Sequence, residues 1–314
     1  MSLLQAIIQG IVQGLTEFLP VSSSGHLAVT QHILGVDLES IFFDILLHLG
    51  TLIAVCFVYY KLIGRLIVEF FRSINDIFHR RFSFKDMSDD RRLLVMLVVG
   101  LIPLFLLFIP IPGTDMRLKD LSDMWGTDSN ILVEGIAFIA TSILLTLAII
   151  LGGKSKSTTK KRGGAHFSDE RNRTQIRFSD AVAIGITQLC AALVPGLSRS
   201  GSTMSTGMMK GVNKQTALDY SFVLGIPTIL AAAVFSLKDI TSADMASLST
   251  AVIIAGVVSS AIFGFLAIKL FKWLVASDKL IIFAVYTFIL GIICIVVSVI
   301  EFKSGVNIFT KLPL

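Results

Sequence analysis

GIVQGLTEFLPVSSSGH at residues 10–26 and GITQLCAALVPGLSRSG at residues 185–201 align at a constant shift of 175 positions. Gly10 falls on Gly185, Ile11 on Ile186, Gln13 on Gln188, Pro20 on Pro195 and Ser23 on Ser198. The register runs on without a gap to set Asp44 on Asp219 and Gly50 on Gly225. So many identities at one offset mark an internal duplication. Each copy opens with an apolar segment interrupted by proline, which lacks an N–H and pushes the residue before it out of the α conformation. The halves, about 10 to 14 residues each, are too short to cross a ~30 Å hydrocarbon core and suit a re-entrant helical hairpin.

The 314-residue chain around these segments is 54% hydrophobic and only 16% charged, too little charge to cover a soluble domain of this length. Apolar runs of spanning length lie at 41–60, 93–112, 131–151, 217–237, 250–272 and 280–300. The expected fold is all-α and integral to the membrane, with six transmembrane helices plus two re-entrant hairpins. Three spans follow each hairpin, and an odd number of crossings turns the second copy upside down, giving inverted-topology repeats. The expected division is a first repeat at 1–151 (hairpin 1–35), a basic cytoplasmic linker at 152–178, and a second repeat at 179–314 (hairpin 179–213). The first 35 residues lack the positive n-region of a signal peptide, since no Lys or Arg precedes Lys61. They carry Gln5, Gln9, Gln13 and Glu17 at helical spacing, a polar stripe that calls for protein or water as its neighbour.

Positive charge is concentrated in alternate loops. Segments 61–92 and 152–178 hold eight Lys or Arg each, and 268–280 adds Lys269, Lys272 and Lys279. The intervening loops are nearly bare of Lys and Arg, which places the basic loops in the cytoplasm and the C-terminus outside. The net charge of +5 is thereby accounted for by orientation and contact with anionic lipid, and nucleic acid is not an expected partner. Cys56, Cys190 and Cys294 show no metal spacing and read as small buried hydrophobes.

The hairpin tips carry the chemistry. Glu17-Phe-Leu-Pro-Val-Ser-Ser-Ser-Gly-His26 forms one and Pro195-Gly-Leu-Ser-Arg-Ser-Gly-Ser-Thr203 the other. Serines after a proline stop are good N-caps, and a helix start presents free N–H groups and a positive dipole end, a receptor for phosphate. Arg199 adds a planar fork matched to phosphoryl oxygens. Glu17 would repel a phosphate unless a divalent cation lay between them. Ser23, His26 or water are the candidate nucleophiles, and Ser23 with His26 as its base, one helical turn away, is the favoured pair. Asp44 and His48 either line the site or cap and bridge helices, the second being the favoured reading, and Lys210 and Lys214 read as residues snorkelling to the cytoplasmic edge.

At these residues the chain resembles the undecaprenyl-diphosphate phosphatases, the bacitracin-resistance phosphatases. The matching motifs are Gln13-Gly-Leu-Thr-Glu17, Pro20 to His26, and Pro195-Gly-Leu-Ser-Arg-Ser-Gly-Ser-Thr203. The resemblance covers essentially the whole chain. It implies hydrolysis of the polyprenyl diphosphate carrier of cell-wall synthesis to the monophosphate, and with it bacitracin resistance. It also implies a divalent cation, Mg2+ or Ca2+, and roles for Glu17 (catalysis and metal), Ser23, His26 and Arg199. Ser22, Ser24, Ser198, Ser200, Thr203 and Gln13 are the expected substrate-binding residues. The first box position, often Glu in the family, is Gln13, which leaves one carboxylate fewer. The expected location is the cytoplasmic membrane, multi-pass, with the working face outward and a homodimer left open. Inverted repeats around a midplane site also suit a flippase of the lipid monophosphate, the alternative function.

Overall fold

The computed structural model describes residues 1–36, 41–84, 86–114, 116–120, 130–152, 172–236, 238 and 248–313. Within them the chain is helical, with isolated bridges in place of any sheet. Most of the basic linker expected at 152–178 lies outside the described residues.

The first proline-broken segment is a pair of short helices, α1 (Leu3–Glu17) and α2 (Ser23–Leu34). Ser2 starts α1 with a capping box: its Oγ accepts from the Gln5 amide, and Gln5 Oε1 accepts from the Ser2 amide. The polar stripe turns inward, with Gln9, Gln13 and Glu17 all buried. The second pair is α7 (Phe178–Leu193) and α8 (Arg199–Met209). Five further helices are long and apolar enough to cross a membrane. They are α5 (Asp89–Leu101, prolonged by the 3-10 turns of Ile102–Phe108), α6 (Leu132–Gly152), α9 (Lys214–Ser236), α10 (Thr250–Ala276) and α11 (Ile281–Ser304).

The remaining expected span, 41–60, is helical over nearly all its length, but the segment after it is not a loop. α3 (Ile41–Val58) meets α4 (Tyr60–Phe78) at a bend of 87°. Segment 61–92, read above as a loop, is therefore largely a helix. α4 is two-sided. Leu66, Glu69 and Ser73 recur at three to four residues and are buried, whereas Ile67, Phe70, Phe71 and Phe78 are exposed. Arg91, at the start of α5, fixes it by donating to Glu69 Oε1 at 2.5 Å and to Asp76 Oδ2 at 2.6 Å. The basic residues hid this helix because they interrupt the apolar run without breaking its period.

The packing is reciprocal between the two halves. α1 lies on α10 and α7 on α5, while α3 packs against α9 and α6 against α11. Matched glycines permit the first two contacts. A Cβ on Gly10 would sit 2.5 Å from the Gly256 carbonyl oxygen, and one on Gly185 2.5 Å from the Gly100 carbonyl oxygen. The helices approach backbone to backbone at both places.

Candidate active site

Both short pairs end at one place. Ser22, held at φ 72° between Pro20 and α2, caps that helix by accepting from the Gly25 amide at 3.2 Å. Ser198 caps α8 in the same way, accepting from the Gly201 amide at 3.0 Å. The caps correct the register of the duplication at the tips. Ser22 corresponds to Ser198, one residue off the constant shift, and the extra residue is taken up in the turn containing Gly196 at φ 78°. Ser23 and Arg199 thus hold equivalent positions, the first residue of each outgoing helix.

The tips are tied directly. Ser200 Oγ donates to the Leu19 carbonyl at 2.9 Å, and Arg199 Nη2 donates to Glu17 Oε1 at 2.6 Å. Glu17 is the hub. Its Oε2 accepts from Ser23 Oγ at 2.6 Å and from Gln13 Nε2 at 2.9 Å, with His48 Nε2 at 3.6 Å. The carboxylate is buried, so the charge is offset by the guanidinium and the hydrogen bonds around it. On the far side of the guanidinium, Nη1 fills the space that a side chain at residue 225 would take: a Cβ on Gly225 would lie 2.1 Å from it.

A cavity of about 450 Å³ opens over this cluster. One wall carries Glu17, Ser22, Ser23, Ser24, Ser198, Arg199 and Ser200, so the starts of two helices, with their hydroxyls and first-turn amides, face the same space. Another part of the lining is apolar, made by Leu104, Ala191, Ala192, Ile229, Ala232 and Ala233. An anion held at the polar end and a hydrocarbon chain along the apolar wall fit such a space.

Not every expected site residue is in the cavity wall. Gln13 stands behind Glu17 and reaches the cavity through it. Thr203 is buried between helices, paired with Ser221 Oγ at 2.6 Å and with the Arg199 carbonyl at 2.9 Å, and braces α8. His26 faces away. Its Nδ1 is 2.7 Å from the Ser22 carbonyl oxygen and its Nε2 2.7 Å from the Tyr286 hydroxyl, with the ring stacked on Tyr286 and edge-on to Phe138. Neither ring nitrogen is directed at Ser23.

The cavity also contains Asp44 and His48, for which lining the site is the less favoured of the two readings from sequence, together with Gln188. Asp44 Oδ1 accepts from Gln31 Nε2 at 3.0 Å, and His48 Nδ1 lies 2.7 Å from the Asp44 carbonyl oxygen. Two signals could have found them: the match of Asp44 and Gln188 to repeat partners, and a polar pair one turn apart in an apolar helix.

Among the described residues, no group of three or more His, Cys, Asp or Glu side chains is placed to hold a metal ion. Glu17, the expected metal residue, already has both oxygens engaged. A divalent cation at this place would be held chiefly by the oxygens of the anion it accompanied, as Mg2+ commonly is.

Fold and site together define an integral-membrane helical protein with a cavity, lined by Arg199 and a row of serines, at the meeting of two proline-broken helix pairs. Residues 6–293 match the family described as Bacitracin resistance protein BacA, and the chain belongs to that family. Its relatives include the undecaprenyl-diphosphatase of Methanosphaera stadtmanae, 36% identical over 96% of this chain and 99% of the relative. Those of Alkaliphilus metalliredigens and Methanobrevibacter smithii are each 38% identical over 95% of this chain and 99% of the relative.

Proposed function

We propose that this protein is an undecaprenyl-diphosphate phosphatase: a hydrolase that cleaves a polyprenyl diphosphate to the monophosphate and inorganic phosphate. The observation that carries the proposal is the convergence of Ser23, Glu17 and Arg199, from two separate helix pairs, at the polar end of a half-apolar cavity. Arg199 and the first amides of α2 and α8 hold the diphosphate. Ser23 is the nucleophile, its hydroxyl proton already directed at a carboxylate. A divalent cation, Mg2+ or Ca2+, held chiefly by the diphosphate oxygens beside Glu17, would supply neutralisation of the charge that the carboxylate otherwise repels. Ser22, Ser24, Ser198 and Ser200 line the phosphate end, Gln13 and Thr203 hold Glu17 and α8 in place, and the tail lies against the alanine-rich wall. A carrier needs binding groups but no nucleophile, so a serine held on a carboxylate favours hydrolysis over a flippase.

In the proposed topology α1–α2 and α7–α8 are re-entrant hairpins of two inverted repeats, 1–151 and 179–314, joined by the cytoplasmic linker 152–178. Reciprocal packing of the halves supports this arrangement. The working face is outward in the cytoplasmic membrane. Supporting that, the cavity is walled by Asp44 near the start of α3 and by Ser236 at the end of α9, the helix ends away from Lys61 and Lys214.

Purified protein should release phosphate from a polyprenyl diphosphate. Rapid quench with substrate labelled in the terminal phosphate should trap an acid-stable, alkali-labile phosphoserine that Ser23→Ala does not form. An acid-labile adduct would move the nucleophile to a histidine. The absence of phosphate release would remove the proposal.

A further inference from the structure

The two histidines near the tips are alike in one respect and opposite in another. Each has Nδ1 2.7 Å from the carbonyl oxygen one turn back, Ser22 for His26 and Asp44 for His48. A carbonyl oxygen only accepts, so in the neutral form of either ring Nδ1 carries the hydrogen and Nε2 the lone pair. In His26 that lone pair is used by the Tyr286 hydroxyl, outside the cavity. In His48 it faces the cavity, 3.6 Å from Glu17 Oε2, the oxygen on which the Ser23 proton rests, and the side chain is 31% exposed.

No neighbour competes for the role. Gln13 is an amide and cannot take up a proton. Asp44 accepts from Gln31 and makes no hydrogen bond to Ser23 or Glu17. A proton left on Glu17 would cancel the charge that Arg199 pairs with.

We propose that His48, and not His26, is the proton acceptor for attack by Ser23, with Glu17 Oε2 as the bridge between them; this rests on the phosphatase reading above. As the bond from Ser23 Oγ to phosphorus forms, the phosphorus–oxygen bond to the lipid monophosphate breaks. The hydroxyl proton passes by way of Glu17 Oε2 to His48 Nε2, which becomes imidazolium. Water then forms the new bond to phosphorus as the Oγ bond breaks. The imidazolium returns its proton to Oγ, and phosphate leaves with the hydrogens of the water.

The same geometry gives a second route to the function. Gln13 Nε2 already lies 2.9 Å from Glu17 Oε2. A carboxylate at position 13 would share a proton with Glu17 at that distance. His48 therefore supplies what Gln13 lacks.

The test uses the full-length enzyme in detergent with a polyprenyl diphosphate. His48→Gln keeps the size and polarity of the ring but cannot take up a proton. It should lower kcat by about 10²- to 10⁴-fold, with KM within about threefold of wild type. Phosphoserine formation in a single turnover should slow by the same factor. Imidazole added to His48→Ala should restore at least about tenfold, which a packing defect would not show. His26→Ala, which also costs activity by loosening the tip, should gain nothing from imidazole. Adding Gln13→Glu to His48→Gln should recover a large part of the lost kcat. A His48→Gln enzyme within about tenfold of wild type would overturn the assignment. So would a deep loss that neither imidazole in His48→Ala nor Gln13→Glu relieves. A wild-type protein that releases no phosphate would instead remove the phosphatase reading itself.

Discussion

Arg199 is held between a carboxylate and a missing side chain. Glu17 takes Nη2, and only the hydrogen at Gly225 leaves room for Nη1. Gly225→Ala should therefore spare the fold, because the end of a long side chain can move, yet push the guanidinium off Glu17. The expected result is a loss of about tenfold or more in kcat/KM, ~1.4 kcal/mol, with a melting temperature close to wild type. Glu17→Gln acts on the same hub differently. It leaves the Arg199 charge without its partner and takes away the oxygen that holds the Ser23 proton. Activity should fall by at least about 10²-fold, and stability should fall too, since breaking a buried pair costs on the order of 3–5 kcal/mol. The two variants thus separate by melting temperature. At this scale the meeting of Glu17, Ser23 and Arg199 was legible because each tip places its polar residues within ten residues of a proline. His48 was legible only as one of two readings, because it sits on another helix, 25 residues from Ser23, in an otherwise apolar run. His26, expected as the base for Ser23, has both ring nitrogens engaged elsewhere, since one helical turn fixes the face of a residue but not the direction of its ring.

Helices α1 and α7 share one device. Gly10 and Gly185, matched in the duplication, each let a helix touch the backbone of a neighbour, α10 in one case and α5 in the other. Gly10→Ala and Gly185→Ala should each destabilise the protein by roughly 1–3 kcal/mol through overpacking against a backbone oxygen that cannot yield. Thermal melts in detergent would read this as two similar decreases. A drop for one and none for the other would show that the matched glycines are not doing matched work. The element scale was mostly legible in the sequence. All six expected spans have helical counterparts within a few residues, because unbroken apolar runs of that length have little else to become. Five of them are long and apolar enough to cross alone, and α3 does so as part of the bent pair with α4. α4 escaped because charge count dominated the reading of 61–92, although Leu66, Glu69 and Ser73 already repeat at helical spacing. The exposed apolar side of α4, set at 87° to α3, fits a helix lying along the membrane surface.

At the scale of the whole molecule, the two halves contribute unequally to one site. The duplication supplies two capped tips, but Glu17 and His48 come from the first half and Arg199 from the second, so neither half holds a complete cavity. The matched positions show the divergence: Glu17 aligns with Ala192, which belongs to the apolar wall of the same cavity. Opposite ends of the molecule should then differ in what they admit. Asp219, the partner of Asp44, is engaged by charge and hydroxyl: it accepts from Tyr59 and pairs with Lys272 at 3.1 Å, at the end where Lys214 lies. Asp44 instead faces the open cavity. Labelling with an impermeant thiol reagent in intact cells tests this asymmetry and the orientation together, in a chain whose Cys56, Cys190 and Cys294 have been replaced. Arg117→Cys, and Ser236→Cys in the cavity wall, should react from outside. Arg72→Cys on α4 should react only after the membrane is opened. A polyprenyl diphosphate should protect Ser236→Cys and leave Arg117→Cys unaffected, because only the first lines the space the substrate fills. Outside labelling of Arg72→Cys would reverse the topology, and the phosphate would then have to be released into the cytoplasm.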